Sequence, residues 1–294
     1  MSTGIVNANG IDLWYERLGD EDGPVLLLIT GLGGQAVGWP EEFCWGFVDR
    51  GFHVIRFDNR DAGLSSFIEA PVDLATAAPA FLSGGEVPAP YLLHDMAADT
   101  LALLDALEVD RAHVLGASLG GMVAQLLAIT APERVGSLTS MMSTTGDRAL
   151  LLPEPDVLGM LLRPLATDVE AAVASALAWS ELVDSPEHRD PDAVAAYARR
   201  AWERCPRRDG AARQLLAIAA SGSREAELAA LAVPTLVVHG TVDRLIRPEG
   251  GRRTAELVPG AELLELEGMG HDLPQAFWAP IIEQVTRLAI RAGT

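Results

Sequence analysis

The chain has 294 residues, of which 49% are hydrophobic and 21% charged. At about 100–200 residues per domain, that is one large domain or two small ones, with ample chain for a full core. Acidic side chains (41) outnumber basic ones (22), for a formal net charge of −19. A surface that negative repels phosphate backbones and anionic headgroups, which argues against nucleic-acid and membrane-surface partners.

Cys44 and Cys205 are too few for a disulfide framework, and each reads as a small buried hydrophobe. The N-terminus shows no basic region followed by an apolar one, and the longest aliphatic run, Val25 to Ile29, is far short of the roughly 20 residues that span a bilayer. The expectation is a soluble cytoplasmic protein, with a homodimer left open.

Gly4–Leu18 alternates around Asn9-Gly10, the signature of a leading β-hairpin on a sheet edge. Val25–Thr30 follows, an aliphatic run ended by Gly31, and reads as a strand buried on both faces. His53–Phe57, Ala112–Leu115, Val135–Met142 and Thr235–His239 are similar, and Glu262–Leu266 is a weaker case. Between the strands lie helical patterns at Asp95–Leu107, Leu119–Thr130 and Ala276–Arg291. Such alternation predicts a doubly wound α/β fold with a mostly parallel sheet.

Two stretches break the pattern. Phe67–Pro90 is rich in proline with little periodicity and reads as a long irregular loop. From about Thr144 to Ser223 only helical patterns appear, at Asp168–Leu182, from Asp190-Pro191 to Glu203, and at Gly210–Ala220. Asp190 is an N-cap with proline at the first helical position. The expected organisation is a core of residues 1–143 and 224–294 with a helical cap, 144–223, inserted between two strands.

Strand Ala112–Leu115 runs into Gly116-Ala117-Ser118-Leu119-Gly120 and then directly into a helix. This is G-x-S-x-G in the strand–turn–helix setting of a nucleophile elbow, where a tight turn lifts the serine hydroxyl above the strand end. A serine at neutral pH needs a base, and the base needs a carboxylate to hold it. Of six histidines, His53, His113 and His239 fall in or beside strands and suit buried structural roles. His94 starts a helix and His188 lies in a polar segment, whereas His271 sits in a loop between the last strand and the last helix. His271 is therefore the expected base. Asp243 follows strand Thr235–His239 and is the expected acid, with Asp147, one strand earlier, as the alternative.

A tetrahedral oxyanion needs preorganised donors. The backbone N–H of Leu119 is one candidate, and that of Leu32, in Thr30-Gly31-Leu32-Gly33-Gly34, is the other. Neither a phosphate-loop pattern nor metal-ligand spacing is present, so no cofactor or metal is expected.

The fragments Arg56–Ser65, Gly116–Gln125 and Gly268–Pro274 are similar to those of α/β-hydrolases, and among them to actinobacterial carboxylesterases of the aclacinomycin methylesterase type. The resemblance covers essentially the whole chain. It implies a helical cap, cofactor-free hydrolysis, the triad Ser118, Asp243 and His271, and an architectural role for the Asp58–Ser65 turn. One departure is Thr30-Gly31, where many relatives have His-Gly. Serine at the elbow argues against epoxide hydrolases and dehalogenases, which use aspartate there. Lactonases, carbon–carbon bond hydrolases and cofactor-free haloperoxidases stay open, as does a non-catalytic receptor.

Trp39, Trp179 and Trp202 favour an uncharged small-molecule ester with an apolar or aromatic acyl part, although each singly suits ordinary packing. Arg199, Arg200, Arg204, Arg207 and Arg208 read as a solvated helix face.

Overall fold

A computed structural model describes residues 1–163 and 165–293; Pro164, inside the helical insertion, and Thr294 lie outside the described residues. In chain order the elements are β1 (Ser2–Ala8), β2 (Ile11–Leu18), β3 (Val25–Ile29), α1 (Glu41–Val48), β4 (His53–Phe57), α2 (Leu74–Leu82) and α3 (Leu93–Ala106). Then come β5 (Ala112–Ala117), α4 (Leu119–Thr130), β6 (Val135–Met141), α5 (Arg148–Leu151), α6 (Pro155–Leu161), α7 (Val169–Val183) and α8 (Pro191–Arg204). The chain ends with α9 (Gly210–Ser221), α10 (Glu225–Leu228), β7 (Thr235–Gly240), α11 (Pro248–Leu257), β8 (Glu262–Leu266) and α12 (Trp278–Ala292).

The strands form one sheet in the order β1-β2-β4-β3-β5-β6-β7-β8. The edge hairpin β1–β2 is antiparallel and joins β4 antiparallel, while β4 through β8 are mutually parallel. Because side chains alternate along a strand, β3 feeds two cores. Leu27 and Ile29 pack in a cluster with Leu103 and Leu104 of α3 and Val123 of α4. Leu26 and Leu28 face the other way, toward Phe43 and Phe47 of α1 and Ile281 of α12. Burial on both faces explains why β3 is apolar at every position.

From β3 the chain steps one way to β4 and later the other way to β5. In sheets of this kind such a reversal leaves a crevice at the carboxyl ends of the two strands, here β3 and β5, which is the usual ligand position. The turn after β3 and the elbow after β5 both end there.

Two sequence expectations need correction. Within Phe67–Pro90 a helix forms, α2, with the Asp73 side chain accepting from Thr76 N–H at its start. Pro79 lies inside it and masks the helical pattern, while Ala77 packs with Val87 and with Leu216 of α9. The second is the arginine row. Arg204 is not solvated: its guanidinium pairs with the buried Asp58 at 2.7 Å and lies 4.2 Å from the centre of the Trp14 ring. The three helices expected between β6 and β7 form as α7, α8 and α9, with Asp168 and Asp190 capping the first two, while the short α5, α6 and α10 had no counterpart in the sequence reading.

Candidate active site

Ser118 sits between β5 and α4 with φ 57° and ψ −121°, a sparsely populated conformation for any residue with a Cβ. The turn is tight enough to exclude side chains at its flanks. A Cβ on Gly116 would stand 2.1 Å from the Gly120 carbonyl oxygen, and one on Gly120 would stand 2.1 Å from that of Ile29. Ser118 N–H donates to Met141 O at 2.9 Å, while the Ser118 carbonyl accepts from the Ser143 hydroxyl at 2.8 Å. The backbone of the elbow is thus tied to β6, and the Ser118 side chain is half-buried beside Gly31.

His271 and Asp243 meet. His271 Nδ1 lies 2.7 Å from Asp243 Oδ2. The other oxygen of Asp243 accepts from the N–H groups of Leu245 and Ile246 at 2.9 and 3.0 Å, so the carboxylate is fixed by its own loop. Burial raises the Asp243 pKa, but the charge and hydrogen bond of His271, with His239 Nε2 3.5 Å from the same oxygen, prevail and hold it at about 2. For His271, burial disfavours the imidazolium, yet the Asp243 charge and hydrogen bond, joined by Asp184 and Asp272, bring its pKa above the ordinary histidine value. Asp147 does something else: its side chain accepts from Ala149 N–H and caps α5. Among the described residues, Ser118 Oγ and His271 Nε2 form no hydrogen bond in this structure. Nucleophile–base contacts are often long before substrate binds and tighten in the complex.

The Gly31–Gly34 segment passes over the serine. A Cβ built on Gly31 would lie 3.2 Å from Ser118 Cβ and 3.7 Å from its Oγ. Gly33 N–H donates to Gln214 Oε1 at 2.7 Å and Gly34 N–H to Gly31 O at 3.1 Å. Leu32 thereby keeps the available amide of these three. Leu119 opens α4, where the first N–H groups of a helix have no intrahelical acceptor. The Thr30 hydroxyl donates to Gly34 O at 3.2 Å, closing the loop on itself.

Most of the other residues singled out in the sequence have structural partners. His53, His113 and His239 contact Asp20 O, Ser137 Oγ and Ile246 O respectively. His94 and His188 are exposed. Cys44 and Cys205 are buried and unpaired, and burial pushes the Cys44 thiol up to about 12 despite Arg56 beside it. Trp39 is 4% exposed and stacks on Phe43, so it belongs to the core. Arg208 lies over the Trp202 ring, while Arg199 is an exposed partner of Glu170. In the Asp58–Ser65 turn, Asp58 accepts from Ala36 and Leu64 N–H, Arg60 pairs with Asp99 and Asp61 with Arg213. Among the described residues, no cluster of three or more His, Cys, Asp or Glu side chains could hold a metal ion, and no helix is long and apolar enough to cross a membrane.

The segment Val183–Ser185, which has no signature in the sequence, ends α7 and grips the histidine loop. His271 N–H donates to Val183 O at 2.6 Å, and Gly270 N–H donates to Ser185 Oγ at 2.9 Å. The Ser185 hydroxyl in turn donates to Asp272 Oδ1 at 2.5 Å. Asp184 between them is a carboxyl that burial and Asp272 raise to about 6 against the Ser180 hydrogen bond and the His271 charge. No local motif marks these residues, because the pairing is between segments far apart in the chain.

The sheet order, the elbow and the loops around it are those of the α/β-hydrolase fold, and the profile of that family matches residues 24–274. The chain belongs to the α/β-hydrolase family. It is 33% identical to the rhodomycin D methylesterase DnrP of Streptomyces peucetius, with 96% of each chain covered. The same figures hold for the rhodomycin D methylesterase DauP of Streptomyces sp. strain C5. The expected likeness to actinobacterial methylesterases therefore extends along the chain. Among solved structures, an enol-lactonase from Burkholderia xenovorans LB400 superposes with a TM-score of 0.75 at 23% identity, covering 98% of this chain and 100% of that one, a likeness of fold.

Proposed function

We propose that this hydrolase cleaves carboxylic esters of apolar small molecules through a covalent acyl-enzyme on Ser118. The observation that carries the reading is the 2.7 Å bond between His271 and a buried Asp243 carboxylate, in a chain whose elbow holds a serine at φ 57°. In this scheme His271 Nε2 takes the Ser118 proton as Oγ attacks the ester carbonyl carbon. Asp243 fixes the tautomer with Nδ1–H and stabilises the imidazolium. The N–H groups of Leu32 and Leu119 receive the developing oxyanion. Collapse breaks the ester C–O bond, and His271 returns the proton to the departing alcohol. Water, deprotonated by the same imidazole, then attacks the acyl carbon and frees the acid and Ser118. The chemistry needs no cofactor.

The methylesterase relatives support a methyl ester of a polycyclic acid as one substrate, beside esters with short to medium acyl chains. Residues 144–223 act as a cap over the crevice in this reading. The test is a panel of p-nitrophenyl esters from C2 to C12, a methyl ester of an aromatic polycyclic acid and a lactone, with kcat/KM for each. The methyl ester or the short and medium acyl chains should lead. Preference for the longest chain, or for the lactone over every open ester, contradicts the substrate assignment.

A further inference from the structure

Helix α9, from the insertion between β6 and β7, touches the loop that carries Leu32. Gln214 is 0% exposed. Its side-chain oxygen accepts from Gly33 N–H at 2.7 Å, and its amide nitrogen donates to Arg60 O at 2.8 Å. One side chain thus joins the turn after β3 to the turn after β4. The helix is seated closely enough to hold the side chain there. A Cβ on Gly210 would stand 2.0 Å from Asp61 O, and Arg213 pairs with Asp61 at 2.8 Å with both side chains buried. At the loop itself, Gly33 has φ +64°, and a Cβ there would come within 3.0 Å of the Ala211 Cβ.

We propose that Gln214 is a positioning residue for the oxyanion site, a role that rests on the esterase reading above. The peptide plane between Leu32 and Gly33 is the one that Gln214 holds. The Leu32 N–H belongs to the preceding plane, between Gly31 and Leu32, whose carbonyl accepts from Gly34 N–H at 3.1 Å. Holding the Leu32–Gly33 plane fixes the middle of the Gly31–Gly34 turn that this bond closes, and through the turn the direction of the Leu32 N–H. The same bond takes up Gly33 N–H, so among Leu32, Gly33 and Gly34 only Leu32 keeps its amide for the reacting centre, beside that of Leu119. Oxyanion donors act through preorganisation, and a small misplacement costs much of their effect. In this way the inserted helices contribute to the chemistry as well as covering it. The amide of Gln214 touches neither substrate nor reacting atoms; it works through the loop.

The test is a pair of variants in the full chain, Gln214→Met, which keeps the volume and removes both hydrogen bonds, and Gln214→Glu, which keeps an acceptor for Gly33 N–H. With p-nitrophenyl butyrate, Gln214→Met should lose about 100-fold in kcat with KM changed less than about threefold. A trifluoromethyl ketone, which forms a tetrahedral adduct on Ser118, should weaken by the same factor while butyrate binds as before. Gln214→Glu should regain about tenfold or more of the loss. Full kcat and ketone affinity in Gln214→Met overturns the proposal. So does a joint loss of kcat, butyrate affinity and melting temperature, which marks a purely structural residue.

Should Gln214→Met fail to fold, amide hydrogen exchange on the wild-type protein decides. Gly33 should be protected and Leu32 should exchange freely until the ketone binds. Fast exchange at Gly33 overturns the proposal. Ser118→Ala separates this from the underlying reading. An active Ser118→Ala removes the esterase mechanism itself, whereas an inactive one beside a fully active Gln214→Met removes only the role of Gln214.

Discussion

Asp243 holds His271 by one carboxylate oxygen, 2.7 Å from Nδ1, and is held by the other through the N–H groups of Leu245 and Ile246. The acid cannot rotate without giving up two backbone bonds, so the imidazole is presented in one orientation and one tautomer. Asp243→Asn keeps the shape but donates where it should accept. It should lower kcat by about 10⁴-fold, as expected when the base is left in the wrong tautomer. Asp147→Asn should leave kcat essentially unchanged and cost at most about 1 kcal/mol through the α5 cap. Steady-state kinetics and thermal melts of both variants check this, and the reverse result would reassign the acid.

The pH dependence follows from the carboxylates around His271. The free side chain titrates near about 6.5, and the structure places His271 above its ordinary value. With His271 as the proposed base, which must be neutral to act, kcat/KM should rise with pH through a midpoint above that of free histidine. Removing a nearby negative charge destabilises the imidazolium, so Asp184→Asn should move the midpoint to lower pH. A midpoint that stays put in Asp184→Asn would show that its charge does not reach the base.

Asp243 also contributes to stability. Its folded pKa, about 2, lies below its unfolded value, so this contribution is present above the ordinary carboxylate range. It is lost as pH falls through the folded value. Asp243→Asn should therefore flatten part of the stability change between about pH 4 and pH 2, measured by denaturant unfolding. An unchanged acid profile would contradict the assignment of the shift.

Asp58 is wholly buried, pairs with Arg204 and accepts from Ala36 and Leu64 N–H. Asp58→Ala leaves a guanidinium, only 13% exposed, without its counter-charge. Breaking such a pair costs about 3–5 kcal/mol, which denaturant titration would register. A change within about 0.5 kcal/mol would show that the pair is compensated by solvent.

Much of the core and of the candidate site was legible because local pattern coincides with tertiary role. The β3 run is apolar at every position because both its faces are buried, and Gly116 and Gly120 are glycines because carbonyl oxygens occupy the space of a Cβ. What escaped depends on contacts between distant segments. Arg204 looks like one of a row of exposed arginines until α8 is placed against Asp58. Helix α2 was hidden by Pro79, and the grip of Ser185 on the histidine loop spans 87 residues to Asp272. Gln214 carries no motif, since its two acceptor and donor partners are backbone groups of unrelated turns.

If Ser118 carries the acyl group, mass spectrometry of the enzyme quenched during turnover of p-nitrophenyl butyrate will find it there. A butyryl adduct should appear on the peptide containing Ser118, formed in the burst of p-nitrophenol release. Both the adduct and the burst should be absent from Ser118→Ala, whose kcat should fall by about 10⁶-fold. An adduct on another residue, or a Ser118→Ala variant that keeps more than about a tenth of the activity, would contradict it.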